Sequence, residues 1–310
     1  YKVKSNLLLP EFHIDTLSHL RLNSKNYTKL TNDSHITLGV VAISYNEERD
    51  ITRFIENIHS WVDEIVIIDD GSKDGTKSIA SKYEKVKFIE SPRQEGEYYS
   101  HQRNKGTDAS SCEWLLHMDI DERVTPQLAK EILNAIQRAK YDAFKFYRSN
   151  YFLHRLMRGG GWSDWNQVHL AKRHVLKFGG MFHESIELKT DEEKVGQLNN
   201  VMVHLNDESF EERFNKSRNY HTEIKNRTRT KYNKVTSRQV IWSILREFVY
   251  KFFYKKGYKD GWLGALWAIH ASTATFRAYA SVWDEQNRIP RKVLEDQIKE
   301  SWDQFKTKSS

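Results

Sequence analysis

Two apolar runs in this sequence each end in acidic residues whose type and spacing suit the binding of a cation or a sugar hydroxyl. The first run, IVIIDDGSKDGT at residues 65–76, reaches Asp69 and Asp70 where its apolar part stops. The second, WLLHMDIDE at residues 114–122, places Asp119 and Asp121 two positions apart. Carboxylates bind hard divalent cations and accept hydrogen bonds from ribose hydroxyls. The pattern predicts a ligand site where two strands end.

Apolar periodicity predicts the elements that would position these acids. Buried strands are indicated at residues 36–44, 64–68, 86–89 and 114–118, with helical spacing between them. Further on, the pattern predicts a helix at 127–139 and strands at 141–151 and 167–173. Alternating strands and helices are typical of an α/β fold with a mostly parallel sheet flanked by helices. In such sheets ligands bind beyond the carboxyl ends of the strands.

Composition narrows the class of protein. The chain has 310 residues, a formal net charge of +7 and one cysteine, Cys112, which indicates a reducing compartment. No run of eighteen apolar residues occurs, so we expect no membrane-spanning segment. The positive charge indicates an anionic partner, which leaves open a nucleotide, a phosphorylated glycan, an acidic lipid surface or a nucleic acid.

The composition also changes along the chain, which predicts three regions. Residues 1–35 are expected to form an N-terminal arm, and residues 36–208 the domain that carries the acids. Residues 209–310 are expected to be a helical appendage, because basic and aromatic residues recur through much of that segment. Such a composition is typical of an interfacial membrane helix. It is equally typical of a helical cap or an oligomer contact.

Several familiar motifs are excluded by their spacing. Gly71 and Gly75 have three residues between them, whereas a Walker phosphate loop needs four and a lysine directly after. The segment beginning at Asp70 resembles the start of a calcium loop, but its twelfth position is Ser81 instead of a bidentate glutamate. The HES segment at His183 lacks the second histidine of a metalloprotease helix.

The remaining polar residues form an ordered set that resembles one enzyme family. Four motifs carry the resemblance: YNEE after the first strand, DDGSKDGT after the second, RN on a helix, and DID after the fourth. Together they are similar to the family 2 glycosyltransferases of the GT-A fold. By that resemblance the nucleotide-binding residues would be Ser44, Tyr45, Asn46, Glu47, Asp69, Asp70, Arg103, Asn104 and Asp119.

The resemblance also implies separate roles for the acids. Asp69 or Asp70 would contact the uracil ring or ribose, and Asp119 would reach the ribose. Asp121 would hold Mg²⁺ or Mn²⁺ against the diphosphate, because a departing diphosphate must have its charge neutralised. Arg103 would add a fixed cation facing the phosphate oxygens.

An inverting displacement needs a base for the acceptor hydroxyl, and three residues are candidates. In the family this base is an acid beyond the DxD motif, which favours Glu184, with His183 beside it. Asp164 is the competitor, because it lies between Trp162 and Trp165 and tryptophans commonly stack on acceptor sugars.

Later segments favour one branch of the family. RSNYFLHR, LAKR, GGMFHESIEL and KKGYKDGW resemble enzymes that build bacterial lipopolysaccharide core and related surface glycans. The resemblance implies transfer of a hexose from a UDP-sugar to a cell-surface glycan or lipid-linked acceptor. It also implies a cytoplasmic enzyme that lies peripherally on the inner face of the membrane. Two alternatives stay open, a sugar nucleotidyltransferase on a related sheet and a non-catalytic nucleic-acid binder built on residues 213–259.

Overall fold

The computed structural model describes residues 35–138, 140–180 and 185–308, apart from the side chains of residues 185, 218–220 and 308. The predicted arm therefore lies outside the described residues except for its last position. Candidate bases His183 and Glu184 lie outside them as well. From Ile36 onward the chain forms one compact unit, without a structural division at the composition change near residue 208.

The described residues form eleven strands, of which the first four follow the predicted positions closely. Their bounds are β1 (Leu38–Ser44), β2 (Glu64–Asp69), β3 (Val86–Glu90), β4 (Trp114–Asp119), β5 (Glu122–Val124), β6 (Ala143–Phe152), β7 (Arg155–Leu156), β8 (Asn166–Lys172), β9 (Leu176–Gly179), β10 (Ser185–Leu188) and β11 (Val195–Asp207).

Nine of these strands belong to one sheet, whose hydrogen-bonded order is β3-β2-β1-β4-β8-β6-β11-β5, with β7 paired to β6. Strands β3, β2, β1 and β4 are parallel, as predicted. The difference lies in β8, which runs antiparallel between β4 and β6. Since β6 and β11 are parallel to each other, they point the same way as β4. Strands β9 and β10 form a separate antiparallel pair.

The sheet is strongly curled, which follows from the length of one connection. Only two residues join β4 to β5, although β5 lies four places along the sheet from β4. In a flat sheet that separation is about 19 Å, since neighbouring strands are about 4.8 Å apart. Three residue steps span at most about 11 Å. The β11–β5 edge must therefore curve back toward the end of β4.

Eight helices accompany the strands in the described part of the chain. They are α1 (Ile51–Ile58), α2 (Thr76–Ala80), α3 (Tyr99–Ala109), α4 (Pro126–Gln137), α5 (Phe210–Lys231), α6 (Ser237–Val249), α7 (Gly261–Asn287) and α8 (Arg291–Lys308). A π-helical turn (Tyr250–Tyr254) and a 3-10 turn (Gly257–Asp260) join α6 to α7. Helix α1 buries Ile51, Phe54, Ile55 and Ile58, the apolar face that its spacing predicts.

The C-terminal helices differ in how they are packed. Helices α5, α6 and α7 pack together, and Trp267 of α7 meets Trp162 edge-to-face with ring centroids 4.8 Å apart. Helix α8 is exposed along its described length. Within the described residues, no helix combines the length and the apolar character needed to cross a membrane.

Candidate active site

The carboxyl ends of the parallel strands meet at one edge of the sheet, as the sequence predicts. In the parallel register Ser44 lies beside Asp69, and Ile43 lies beside Asp119. A cavity of about 830 Å³, called the first cavity below, lies beyond this edge. Its polar lining residues include Ser44, Tyr45, Asn46, Glu47, Arg49, Asp50, Asp70, Arg93, Tyr99, Gln102, Asp119, Asp121, Arg148, His204, Asn206, Glu212 and Lys216.

Asp69 is a buried residue that organises the second turn and does not line the first cavity. Its side-chain oxygens accept hydrogen bonds from Ser44 Oγ at 2.8 Å, Gly71 N at 3.0 Å, Ser72 N at 2.7 Å and Ser72 Oγ at 2.5 Å. Gly71 has a φ of +86°, a backbone conformation that favours glycine. The structure thus places Asp69 beneath the site, and of the two adjacent acids only Asp70 faces the cavity.

Asp70 holds an arginine that the sequence analysis did not single out. Its carboxylate accepts hydrogen bonds from Arg93 Nε and from the Arg93 backbone N–H, both at 2.7 Å. The Arg93 guanidinium lies over the Tyr99 ring, 4.3 Å from its centroid. Because all three residues line the first cavity, they form one wall with a carboxylate, a cation and an aromatic face.

The first turn, Tyr45 to Glu47, is tied to the second turn by side chains. Asn46 has a φ of +56°; its N–H donates to Ser72 Oγ and its Oδ1 accepts from Lys73 N, each at 2.8 Å. The Glu47 N–H donates to Thr76 Oγ1. These bonds fix the mouth of the cavity before any ligand binds.

Glu47 has an environment that disfavours a charge. Burial, and next the charge of Asp121, raise the pKa of Glu47 to about 7. A carboxyl with this pKa exchanges its proton near neutral pH. Such a group would be stabilised in its charged form by any cation that bound close to Asp121.

Asp119 is paired with the helix residue predicted to face phosphate. Arg103 Nη2 donates to Asp119 Oδ1 at 2.6 Å, and the Arg103 side chain is only 6% exposed. Burial by itself raises the pKa of Asp119, but the charge and hydrogen bond of Arg103 hold it well below its usual range. Arg103 therefore lies behind Asp119, keeps it ionised, and does not line the first cavity.

Asn104 likewise points away from the ligand space. Its side-chain amide donates to Phe178 O at 2.7 Å and accepts from Phe178 N at 2.9 Å, which fixes β9 to α3. The adjacent positions Arg103 and Asn104 thus both support the walls of the site.

Asp121 faces the cavity and meets a histidine from the far end of the sheet. Its Oδ2 lies 3.2 Å from His204 Nε2, and its backbone carbonyl accepts from Leu205 N. The other ring nitrogen, His204 Nδ1, lies 2.9 Å from Asn150 Oδ1. Because β11 points the same way as β4 and the sheet curls, the carboxyl end of β11 reaches the same edge.

Glu122 is the first residue of the short strand β5. It is buried, pairs with Arg148 Nη1 at 2.9 Å and accepts from the Asp119 N–H. Burial, and next the charge of Asp119, raise its pKa. Glu122 therefore supports the DID turn from below, and it is not among the lining residues of the first cavity.

Lys216 is another residue of the first cavity that motif reasoning missed. It lies on α5, 2.9 Å from Glu212 and 3.5 Å from Asp207. Burial by itself lowers the pKa of Lys216, but the Glu212 hydrogen bond and the two acidic charges raise it, so the amine stays protonated. The only sequence signal was its place in the basic segment that follows residue 209.

A second cavity of about 430 Å³ adjoins the first and shares Arg148, His204 and Asn206 with it. Both tryptophans predicted to flank an acceptor, Trp162 and Trp165, line this second cavity. The other lining residues are Asn150, Gly160, Gly161, Arg213, Ser217, Ile224, Glu247, Lys251, Trp267, His270, Ala271, Ala274 and Thr275.

Asp164, the competing base candidate, is placed less favourably than its neighbouring tryptophans. Its side chain is 53% exposed, and its carboxylate accepts from Lys255 Nζ at 2.6 Å. It lines neither the first nor the second cavity. For Glu184 and His183, which lie outside the described residues, the role of base stays a prediction.

The described residues hold no group of three or more His, Cys, Asp or Glu side chains arranged for a metal ion. Asp121 and His204 are nonetheless a carboxylate and an imidazole at 3.2 Å, both facing the first cavity. Mn²⁺ accepts both ligand types, and Mg²⁺ commonly takes one or two carboxylates and completes its shell with water and substrate phosphates. The pair fits a cation that shares its coordination with a bound diphosphate.

A curled, mostly parallel sheet flanked by helices, with acids at its carboxyl edge and two adjoining cavities, is the arrangement of a GT-A transferase. Residues 39–185 match the family model described as glycosyl transferase family 2. Residues 39–185 therefore form a family 2 glycosyltransferase domain, with the mixed α/β architecture of the GT-A fold.

Individual relatives agree with this assignment. An uncharacterized glycosyltransferase of Rickettsia typhi is 25% identical over 248 residues, which covers 74% of this chain and 82% of the relative. A cholesterol galactosyltransferase of Borreliella burgdorferi is 34% identical over 94 residues, covering 30% of this chain and 25% of that enzyme.

Among solved structures, the glucosyl-3-phosphoglycerate synthase of Mycobacterium tuberculosis with Mn²⁺ and UDP-glucose superposes with a TM-score of 0.43. Its sequence identity is 16%, and the match covers 61% of this chain and 77% of that one.

Proposed function

We propose that the protein transfers a hexose from a UDP-sugar to a cell-surface glycan or lipid-linked acceptor by inverting displacement, assisted by Mg²⁺ or Mn²⁺. The observation that carries the proposal is the first cavity, where Glu47, Asp70, Asp119 and Asp121 converge beyond the parallel strands. Four carboxylates beside several cations suit a ligand that has hydroxyls and a metal-bound diphosphate.

We assign the nucleoside part of the UDP-sugar to the wall formed by Asp70, Arg93 and Tyr99. Asp70 is the carboxylate available for the uracil ring or the ribose, since Asp69 is saturated by its own turn. Asp119, held ionised by Arg103, would accept from a ribose hydroxyl. The first turn with Ser44, Tyr45, Asn46 and Glu47 would close the other side of the nucleotide.

The diphosphate half is assigned to Asp121, His204 and Lys216. Asp121 and His204 would hold the divalent cation, which when bound supplies Lewis-acid stabilisation of the departing UDP. Lys216 is one of the cations that line the first cavity, and the charge of Asp121 helps to raise its pKa, so its own charge is retained. We therefore transfer to Lys216 the phosphate-facing role that the sequence suggested for Arg103.

The acceptor half is assigned to the second cavity, which meets the first at His204 and Asn206. The base that takes the acceptor proton is proposed to be Glu184, with His183 as the neighbouring alternative. Asp164 is disfavoured, since it pairs with Lys255 outside both cavities.

Membrane attachment at the cytoplasmic face is part of the proposal. Large apolar side chains are exposed between residues 241 and 262, including Trp242, Tyr254 and Trp262. Exposed cations accompany them on the same segment, which suits an anionic lipid surface. The Borreliella relative, named for galactose transfer to cholesterol, supports a hexose donor and a lipid acceptor.

The proposal is tested with Asp121→Asn, which keeps the shape of the side chain and removes its charge. We expect Mn²⁺-dependent UDP binding, measured by titration calorimetry, to weaken about a hundredfold, because a metal-ligand charge contributes several kcal/mol. Release of UDP from UDP-sugars should fall in parallel.

The matched control is Asp108→Asn, an exposed aspartate on α3. It should leave binding, turnover and melting temperature unchanged. If Asp121→Asn binds UDP with the same Mn²⁺ dependence as the unaltered protein, the metal assignment is wrong.

A further inference from the structure

The second cavity has a positively charged wall. Of its described lining residues, Arg148, Arg213 and Lys251 carry positive charge, and Glu247 is the single acid. An acidic ligand is therefore favoured electrostatically over a basic one, and the effect is strengthened where water is excluded.

The counter-ions of the two arginines lie behind the wall. Arg148 is paired with Glu122 and Arg213 with Asp207, and these two acids are 1% and 0% exposed at their side chains. Neither acid lines the second cavity. The arginines are thus fixed in place by groups that a ligand does not meet, while their own surfaces border the open space.

Lys251 differs from the two arginines, because no hydrogen bond or ion pair joins its ammonium group to a described residue. The ammonium lies 5.8 Å from the ring centroids of Tyr250 and Trp267. It also lies beside the backbone of Gly161, within 3.7 Å of the position that a Cβ atom would occupy there. A lysine held against aromatic faces inside a cavity remains able to pair with an incoming anion.

The pKa of His270 is affected by the same excess of positive charge. Burial, and next the charges of Arg213 and Arg277, lower the pKa of this lining residue. The histidine is therefore neutral near pH 7, and a further cation is disfavoured at this place.

The remaining walls suit a sugar ring. Three tryptophans line the cavity, namely Trp162, Trp165 and Trp267. A tryptophan side chain that borders the open space can pack against the apolar face of a sugar ring. Glu247 and Asn206 add acceptors for ring hydroxyls. A volume of about 430 Å³ is within the range of small-ligand sites.

We propose that the second cavity binds an acidic sugar, one that bears a phosphate or a carboxylate, as the acceptor, and that Lys251 pairs with its anionic group. The inference rests on the proposed function, since the cavity serves as an acceptor site only if the first cavity holds the donor. The anion distinguishes this acceptor from a neutral hexose, which the tryptophans alone would also accommodate.

The test uses the full chain with UDP and Mn²⁺ present, so that the first cavity is filled. Binding of glucose 6-phosphate, glucose 1-phosphate, glucuronate and glucose is followed by tryptophan fluorescence at constant ionic strength. We expect at least one acidic sugar to bind about tenfold or more tightly than glucose, the effect of a charged hydrogen bond. The phosphate and carboxylate arms show which anion is preferred.

Lys251→Met removes the charge and keeps the aliphatic stem against Trp267. It should therefore abolish the preference for acidic sugars over glucose. Lys255→Met is the matched control, because Lys255 directly follows the same π-helical turn but pairs with Asp164 outside the cavity. It should leave the preference intact.

Two results would overturn the inference: acidic sugars that all bind no better than glucose, or a Lys251→Met protein that keeps the preference. Mn²⁺-dependent UDP binding is measured in the same samples. If the unaltered protein shows no Mn²⁺-dependent UDP binding, the proposed function is refuted. Normal UDP binding without a preference for acidic sugars over glucose would refute only the acidic acceptor.

Discussion

Asp69 and Asp70 are neighbours in the sequence with opposite roles in the structure. Asp69 is 1% exposed and accepts four hydrogen bonds, two of them from backbone N–H groups. Asp70 lines the first cavity and pairs with Arg93. The sequence could not rank the two, because strand alternation only determines that they face opposite sides, and the turn hydrogen bonds decide which side holds ligand.

Exchanging each of these acids for asparagine should separate stability from binding. Asp69→Asn leaves backbone donors at Gly71 and Ser72 facing an amide, and each unsatisfied buried group costs about 1–3 kcal/mol. We expect a clear loss in the free energy of unfolding by urea. Asp70→Asn should weaken UDP binding and change unfolding much less; equal destabilisation by both would contradict the assignment.

Two other features of the site show what local pattern leaves out. Arg103 was expected to meet phosphate, yet its side chain is buried against Asp119. His204 and Lys216 carry no motif, and they reach Asp121 and the first cavity only because β11 and α5 return to the edge where β4 ends. Contacts between residues more than eighty positions apart are decided by packing, so periodicity cannot supply them.

At the scale of elements, the predicted strands agree best with the structure where burial is continuous. The first four were placed correctly because long β-branched and apolar runs bounded by turn residues are distinctive. The direction of β8 was not predictable, since an apolar strand has the same pattern in either orientation. The short β5 was also missed, and its three residues, Glu122–Val124, are too few for a periodic signal.

An ion cluster between α5 and α7 gives a prediction about pH. The hydrogen bonds from Arg229 and Lys225 lower the pKa of Glu285 to about 2, against an ordinary value of 4.5. A lowered acid pKa stabilises the folded state above pH 4.5, and this contribution is lost as pH falls from 4.5 toward 2. Glu285→Gln should therefore be less stable than the unaltered protein at pH 7.

Thermal melts at several pH values check this prediction. The difference in melting temperature between Glu285→Gln and the unaltered protein should narrow below pH 4.5. The difference at pH 7 should be modest, because the Glu285 side chain is about a third exposed. Glu300→Gln, on exposed α8, is the control and should melt like the unaltered protein throughout. A pH-independent difference would show that Glu285 acts through packing instead of charge.

At the scale of the whole molecule, one surface combines exposed aromatic and basic residues. Trp262 is 75% exposed and Tyr254 73%, values unusual for side chains of this size. The same segment forms the wall of the second cavity through Glu247 and Lys251. A membrane contact here would bring a lipid-linked acceptor close to the place where we propose that it binds.

Replacing Trp242 and Trp262 together by serine should weaken binding to anionic vesicles about tenfold or more, because two aromatic side chains no longer enter the interface. Co-sedimentation with phosphatidylglycerol-containing vesicles measures the effect, with phosphatidylcholine vesicles for comparison.

The matched control is Trp302→Ser with Phe305→Ser, on exposed α8, whose five basic and four acidic residues nearly balance. It should leave vesicle binding unchanged. Equal loss from both double variants, or none from the first, would contradict a membrane role for residues 241–262.

The sequence by itself determined the strands that precede the site, the acids at their ends and the family. Each of these depends on residue types at short spacings along the chain, which are visible without the tertiary structure. Tertiary structure alone decided that Asp70 and not Asp69 lines the cavity, that Arg103 supports Asp119, and that His204 joins Asp121. It also revealed the second cavity. These outcomes depend on how a curled sheet brings distant strand ends together, which is a property of packing and not of local pattern.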